Sequence, residues 1–449
     1  MDDIFLYIEK HFDEWISTLR DFIGIPSITN DKNKVEECAE FLSDILTKSG
    51  IQSKVIATEG NPVVYGEVIN VNAKETLIIY GHYDVQSIEP LSEWKSSPFD
   101  MAIRNKKVYG RGVADDKGQI FANIKGVEAL LNKEDKLPIN LKFIFEGEEE
   151  TGSNHLEQFL IEHKNLLDGD LLIGCDTHIY KSGIPIIYLG NKGLLSLQLS
   201  VKTAPSEVHS QNAPAMVNAA WILIDILKSI SNSKGEITIK GFYDNIKPLL
   251  PEEIEAVKKI PLERSLITEI TNGSKRLLPR TNENNYYYNL IFEPSSNIVG
   301  ISTGYTGEGI KAIIPSSANV KLSFYLVPDQ DPLDIVEKLK SHIREIGFLD
   351  KVEIDVFSAT RGSRLSITNH YVPILSKAVK DVWKMEPLII PNCPGANPGY
   401  LFQKHLGLNL VLIPLALYDE NAHAPNENIP IDSLIKGMKF TANLIRTLK

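Results

Sequence analysis

Three short runs constrain the fold of this chain more than any other feature. Residues 76–80, Thr-Leu-Ile-Ile-Tyr, are continuous and apolar, and 139–145 and 170–174 have the same character. Such runs predict strands buried on both faces, which need helices above and below them. Each run delivers polar residues at its end. Gly81-His82-Tyr83-Asp84-Val85 follows the first, Glu146-Gly147-Glu148-Glu149-Glu150-Thr151-Gly152-Ser153 the second, and Cys175-Asp176 the third. Around them, apolar residues recur at helical spacing over 5–22, about 35–48, and 119–132. Strands alternating with helices, with polar residues at strand C-ends, predict an α/β fold whose site forms at those ends.

The texture changes after Gly190. Leu195 to Val201 alternates like a half-exposed strand, a helix fits 214–230, and 319–327 alternates again before an amphipathic helix over 332–347. Residues 237–300 read as polar and irregular, with prolines at 248, 251, 261 and 279. From 365 onward the α/β texture returns, with helices near 371–384 and at the end and a strand at 408–414. The 449 residues exceed one small core. The expected organisation is a discontinuous main domain, 1–190 and 360–449, with an inserted α+β domain at 191–359.

Composition narrows the function. Lys and Arg number 47 against 58 Asp and Glu, a net charge of −11, which argues against a nucleic-acid partner. No apolar run is long enough to cross a membrane and no signal peptide opens the chain, so a cytoplasmic protein is expected. Cys38, Cys175 and Cys393 are scattered and read as reduced, buried residues.

The chemistry centres on Tyr109-Gly110-Arg111-Gly112-Val113-Ala114-Asp115-Asp116-Lys117-Gly118. Glycines permit tight turns around two adjacent aspartates, which repel each other unless a cation lies beside them. A carboxylate offering both oxygens can bridge two ions, a role that suits Asp115. His82 and Asp84, spaced i and i+2 at a strand end, suit a metal-bound imidazole backed by a carboxylate. Each remaining candidate has an ordinary explanation when taken singly. Glu148-Glu149-Glu150 reads as a solvated acidic loop, Asp176 as a helix N-cap, and His423 as one histidine among ten. Five such positions at loop starts of one sheet point together to a metal site.

These motifs resemble the aminoacylase/carnosinase/glutamate-carboxypeptidase family of dinuclear zinc exopeptidases, and its dipeptidase-like branch in particular. The similar stretches, in family order, are GHYDVQ (81–86), EWKSSPF (93–99), YGRGVADDKG (109–118), EGEEETGS (146–153), GCD (174–176), EVHS (207–210), IPSSANVKLSFYLVP (314–328) and NAHAPNEN (421–428). The resemblance implies a mixed sheet flanked by helices, with an inserted lid and dimerisation domain. It implies two Zn²⁺ per subunit, replaceable by Mn²⁺ or Co²⁺. His82 and Asp176 would hold one ion, Glu150 and His423 the other, with Asp115 bridging. Glu149 would be the general base, and Asp84 would stand behind His82. The resemblance further implies a cis peptide after Asp115, and a homodimer in which His209 reaches the partner's site.

Two departures concern the substrate. Tyr325 stands where the family carries an Arg that grips the substrate's α-carboxylate, and Tyr cannot form a bidentate ion pair. The loop Pro394-Gly395-Ala396-Asn397-Pro398 also lacks the family's hydroxyl. Weak dependence on a free carboxylate follows, unless Lys192, Arg361 or Arg364 supplies the cation. The expected activity is hydrolysis of dipeptides or of the C-terminal residue of short peptides. The alternatives are an N-acyl-amino-acid deacylase and, from another class, a non-catalytic metal- or nucleotide-binding protein. Gly110-x-Gly112 lacks the Gly-Lys-Ser/Thr that a phosphate loop needs, and an intact Glu149 argues for catalysis.

Overall fold

The computed structural model describes residues 1–264, 267–268 and 277–448. Its centre is an eight-stranded mixed sheet, in spatial order Gln52–Ile56, Val63–Val68, Asn140–Glu146, Thr76–His82, Leu171–Gly174, Leu410–Leu412, Ile186–Tyr188 and Leu388–Ile390. Thr76–His82 runs parallel to both neighbours, and Leu410–Leu412 continues that direction beyond Leu171–Gly174. Gln52–Ile56 and Val63–Val68 close one edge antiparallel.

The period of two along a strand decides which core each residue joins. Leu77 and Ile79 face one apolar cluster, while Ile78 and Tyr80 face another. The first cluster is covered by the helices Asp2–Gly24, Lys32–Lys48, Lys117–Leu131, Tyr371–Trp383 and Ile431–Thr447. The second is covered by Leu156–Glu162, Pro251–Lys258, Tyr286–Phe292 and Gly399–Leu406. A continuous apolar strand is the sequence consequence of this double cover.

The strand Gly190–Lys202 leads into a second sheet. Its first residues pair with Ser363–Arg364 and Cys393–Ala396. From Gly193 onward it lies between Ser317–Leu326 and Val352–Thr360, and Ser295–Thr303 forms the outer edge. Leu195, Leu197, Leu199 and Val201 pack under the helices Ala219–Ile230 and Pro332–Glu345, forming a third apolar cluster. Ser196, Gln198 and Ser200 on the opposite face are only half-buried, and no described helix joins the apolar cluster from that side, which explains the alternating pattern in the sequence.

Among the described residues of 237–300 the expected irregular stretch contains regular structure, while 265–266 and 269–276 lie outside the described residues. Pro251 opens a helix instead of breaking one, since the first helical residue needs no N–H. Glu253 returns its side chain to the Leu250 N–H at 2.8 Å. Val257, Ile260, Tyr287, Ile291 and Phe292 then pack beside Tyr188 and Ile390 of the central sheet. Ser295–Thr303, unrecognised in the sequence, is an exposed strand without a clean alternation.

Helix Lys117–Leu131 is buried on nearly every side. Its Gly126 lets the C-terminal helix approach closely, for a Cβ there would lie 2.4 Å from the backbone oxygen of Met438. Backbone cannot yield as a flexible side chain does, so Gly126→Ala should cost about 1–3 kcal/mol by overpacking. The urea midpoint should fall, while Gly300→Ala, in open space, serves as the control. An unchanged Gly126→Ala midpoint would mean that the two helices separate without strain.

Candidate metal centre

The parallel strands end together, and the loops after them carry the donors. His82 is the last residue of Thr76–His82, and Asp176 follows Leu171–Gly174. Glu149 and Glu150 start a short 3₁₀ turn after Asn140–Glu146, and Asp115 precedes helix Lys117–Leu131. His423 comes from the loop before Asn428–Pro430. Two groups result: His82, Asp115 and Asp176, then Asp115, Glu150 and His423, with the donor atoms of each within 4.8 Å of one another. Asp115 belongs to both. Its Oδ1 lies 3.0 Å from His82 Nε2 and its Oδ2 3.0 Å from His423 Nε2. His423 Nε2 is also 3.0 Å from Glu150 Oε2.

Buried polar groups hold this arrangement. His82 Nδ1 lies 3.1 Å from the Asp84 carbonyl and 3.4 Å from its Oδ1. The Asp84 carboxylate also accepts the N–H groups of Glu149 and Glu150, each at 3.2 Å, and the Thr29 hydroxyl at 2.7 Å. It thereby ties the acidic turn to the histidine strand. Glu148 is occupied elsewhere, 2.8 Å from His155 Nδ1 and accepting the Asn61 N–H at 3.0 Å. Glu149 belongs to neither donor group.

A residue that sequence reasoning missed underlies the bridging loop. Glu427, fully buried, accepts the N–H groups of Gly112 (3.0 Å), Ala114 (2.8 Å) and Asp115 (3.0 Å), together with Arg111 Nη1 (2.7 Å). An acid four residues after His423 in a polar loop was its only sequence signal. The Asp115-Asp116 peptide is cis, as the family resemblance implied.

The electrostatics follow from crowding. Burial pushes Asp176 up to about 7, and neighbouring Asp115 adds to the rise. Burial, then Asp176, Glu150 and Asp115, hold Glu149 well above the usual carboxylate range, partly offset by His82. Burial lowers His82, but Asp115 and Asp84 outweigh it and raise the imidazole. Hydrogen bonding to Asp115 and Glu150 pushes His423 up to about 10. The buried His82 Nε2 also lacks a hydrogen bond of acceptable geometry despite its contact with Asp115. Clustered carboxylates and an orphaned imidazole nitrogen fit divalent cations, and each group could hold one.

Two cavities meet at the centre. The larger, about 660 Å³, is lined by Gln86, Glu150, Arg361 and Tyr400 among others. The smaller, about 270 Å³, includes Asp115, Asp176, His178 and Glu420. Glu149 and His423 line both. His209 lines neither. It lies exposed in the strand Val208–His209, its Nδ1 accepting the Gln211 N–H at 3.1 Å. The structure therefore brings together all five metal candidates with Asp84 and Glu149, and leaves His209 apart within this chain.

Metal uptake should release protons. At neutral pH, metal-free His82 and His423 are charged because both are raised, yet only bare imidazole nitrogens ligate. Affinity should then increase as pH rises through neutrality toward the raised histidine values. Calorimetric zinc titration in two buffers of different ionisation heat reads the protons directly. Identical heats in both buffers would contradict this charge state.

The comparisons agree with this geometry. Residues 78–447 match the model of peptidase family M20/M25/M40. Among solved structures, an M20 family metallo-carboxypeptidase from Sulfolobus solfataricus superposes with a TM-score of 0.91 at 37% identity, covering 97% of this chain and 99% of that one. The Cys-Gly metallodipeptidase of Schizosaccharomyces pombe is 26% identical over 100% of this chain and 98% of its own length. The Beta-Ala-His dipeptidase of Homo sapiens is 29% identical over 98% and 91% respectively. With its matching span and its mixed sheet carrying two acidic-histidine donor groups, the chain belongs to the M20/M25/M40 family of peptidases.

Proposed function

We propose that this chain is a dinuclear zinc exopeptidase that hydrolyses dipeptides or removes the C-terminal residue of short peptides. One observation carries the reading: two three-donor groups share Asp115, with the non-ligand carboxylate of Glu149 at the junction of two cavities. The relatives named for Cys-Gly and Beta-Ala-His dipeptides and for carboxypeptidase activity support it. Two imidazoles among the donors favour zinc, with manganese or cobalt as substitutes. Bound there, the pair of ions would supply Lewis acidity to a water molecule and to the scissile carbonyl.

The protein's own groups handle the proton. Glu149 takes it from the attacking water and returns it to the leaving amine. Its raised pKa without metal reflects burial first and the neighbouring acids after it, and cations held by those acids would oppose the rise and favour the ionised form a base needs. Asp84 fixes the orientation of His82 through Nδ1. His209 is the oxyanion donor from a partner subunit. Its Nδ1 accepts an N–H, so the neutral ring carries its proton on Nε2 and donates there. A homodimer through the 191–359 segment is supported by Trp221 and Ile224 on one helix and Ile298, Val299 and Ile301 on an edge strand, all exposed. In this reading residues 1–190 and 360–449 form the catalytic domain, and helices Pro251–Lys258 and Tyr286–Phe292 of the inserted segment complete its second core. Three free, buried cysteines are consistent with a cytoplasmic enzyme, and among the described residues no helix is long and apolar enough to cross a membrane.

Chelation should abolish hydrolysis of a dipeptide and acyl-amino-acid panel, and zinc, cobalt or manganese should restore it. Glu149→Ala should lose about 10²- to 10⁴-fold in kcat while keeping its metal. Metal loss in Glu149→Ala, with kcat loss in Glu148→Ala instead, would move the base by one residue. Activity in a metal-stripped preparation would overturn the reading.

The shared site has its own test. Glu149→Ala and His209→Ala subunits, unfolded together in equal amounts and refolded, should regain roughly a quarter of wild-type activity, because half the dimers carry one intact site. Verified heterodimers without activity would exclude His209 from the partner's site.

A further inference from the structure

We infer that Arg361 binds the free α-carboxylate on the leaving side of the substrate, replacing the cation absent at Tyr325. The inference rests on the peptidase reading and adds to it a residue that determines specificity.

Position comes first. Tyr325, Leu194 and Thr360 are paired in register across three adjacent antiparallel strands. Directly paired residues project from the same face, here the one opposite the third apolar cluster. Leu194 and Thr360 both line the larger cavity beside Glu149, Glu150 and His423. Arg361 follows Thr360 and lines the same cavity. The position two strands over from Tyr325, about 10 Å across the sheet, is Thr360, and the cation is the next residue, past the strand end, placed by the cavity lining and not by the register. An arginine side chain spans most of that distance.

Of the other candidate cations, two do not line the cavity and the third, ion-paired as Arg361 is, offers no planar fork. Lys192 is buried, and its Nζ donates to the carbonyls of Leu290 and Glu293 at 2.7 Å each. Arg364 Nε lies 3.3 Å from Glu253 Oε1, and Arg364 does not line the cavity. Lys404 does line it, but its ammonium is paired with Glu157 at 2.5 Å, which His405 also contacts. An ammonium is moreover a point charge, whereas a guanidinium matches a carboxylate with two parallel N–H bonds.

Arg361 is also held ready. Asp331 accepts Nη2 and is itself fixed as the N-cap of helix Pro332–Glu345, accepting the Leu333 N–H at 2.9 Å. The Tyr400 ring lies 5.4 Å from the guanidinium carbon. One anchored nitrogen and one covered face set the plane of the group, and a guanidinium has five N–H donors to share. Asp331 balances the charge when no substrate is present. Glu149, Glu150, Glu157 and Asp331 make the cavity lining acidic, so an incoming carboxylate is accepted only against a directed cation.

The test compares alanyl-leucine with its C-terminal amide on zinc-loaded protein. Wild type should prefer the acid by about 10- to 100-fold in kcat/KM, the range of a hydrogen-bonded charge pair. Arg361→Gln should bring the acid-to-amide ratio close to 1, and Arg361→Lys should recover part of it. The inference is overturned by a ratio near 1 in wild type, or by a ratio that survives Arg361→Gln even while both rates fall. Calorimetric binding of the same two compounds to zinc-loaded Glu149→Ala, with and without Arg361→Gln, reads the ratio without turnover. Absent hydrolysis would then count against the peptidase reading alone, and an acid preference insensitive to Arg361→Gln against Arg361 alone.

Discussion

The centre depends on how the backbone before helix Lys117–Leu131 is held. Asp115 can face two donor groups only if its loop neither relaxes nor rotates. Glu427 opposes both by accepting three N–H groups of that loop and one from a guanidinium nitrogen. A carboxylate so buried is costly unless every lone pair is used, and here each oxygen accepts two bonds. Burial still pushes Glu427 up to about 7, with Arg111 and the backbone donors opposing the rise. The His423 loop and the Asp115 loop are thereby one unit, joined by a residue that touches no candidate ion.

Asp84 plays the corresponding role on the other side. It contacts His82 Nδ1 and two N–H groups of the turn that carries Glu149 and Glu150. Two buried acids therefore tie four separate segments into one geometry. The donors that face the cavities rely on this support, because mutual repulsion would otherwise spread them.

Much of this was legible in the sequence where chemistry is local. Continuous apolar runs predicted strands covered on both faces, and Leu77 and Ile78 do face different cores. Four donors were legible because each follows such a run or lies in a glycine-rich turn, and His423 was legible through the stretch NAHAPNEN. What escaped depends on distant partners. Glu427 reads as one acid in a polar loop until the loop folds under Asp115. Pro251 reads as a breaker until its helix packs against Tyr188 and Ile390, sequence-distant residues of the sheet. Ser295–Thr303 shows no alternation because it is an exposed edge. His209 lies outside both cavities, so nothing within a single chain could have fixed its role.

The strand Gly190–Lys202 runs without a break from its pairing with Ser363–Arg364 and Cys393–Ala396 into the outer sheet. At the crossing, the backbones of Gly193 and Gly362 are so close that a Cβ on either would lie under 3 Å from main-chain atoms of the other segment. The join is thus a laminated plate and not a string. A load applied at the outer sheet reaches Asn191 and Lys192 through hydrogen-bonded rungs, and Lys192 pairs with Ala396 on the cavity wall. In mechanical terms the outer sheet is rooted beside the cavity by a join that leaves no room for a side chain.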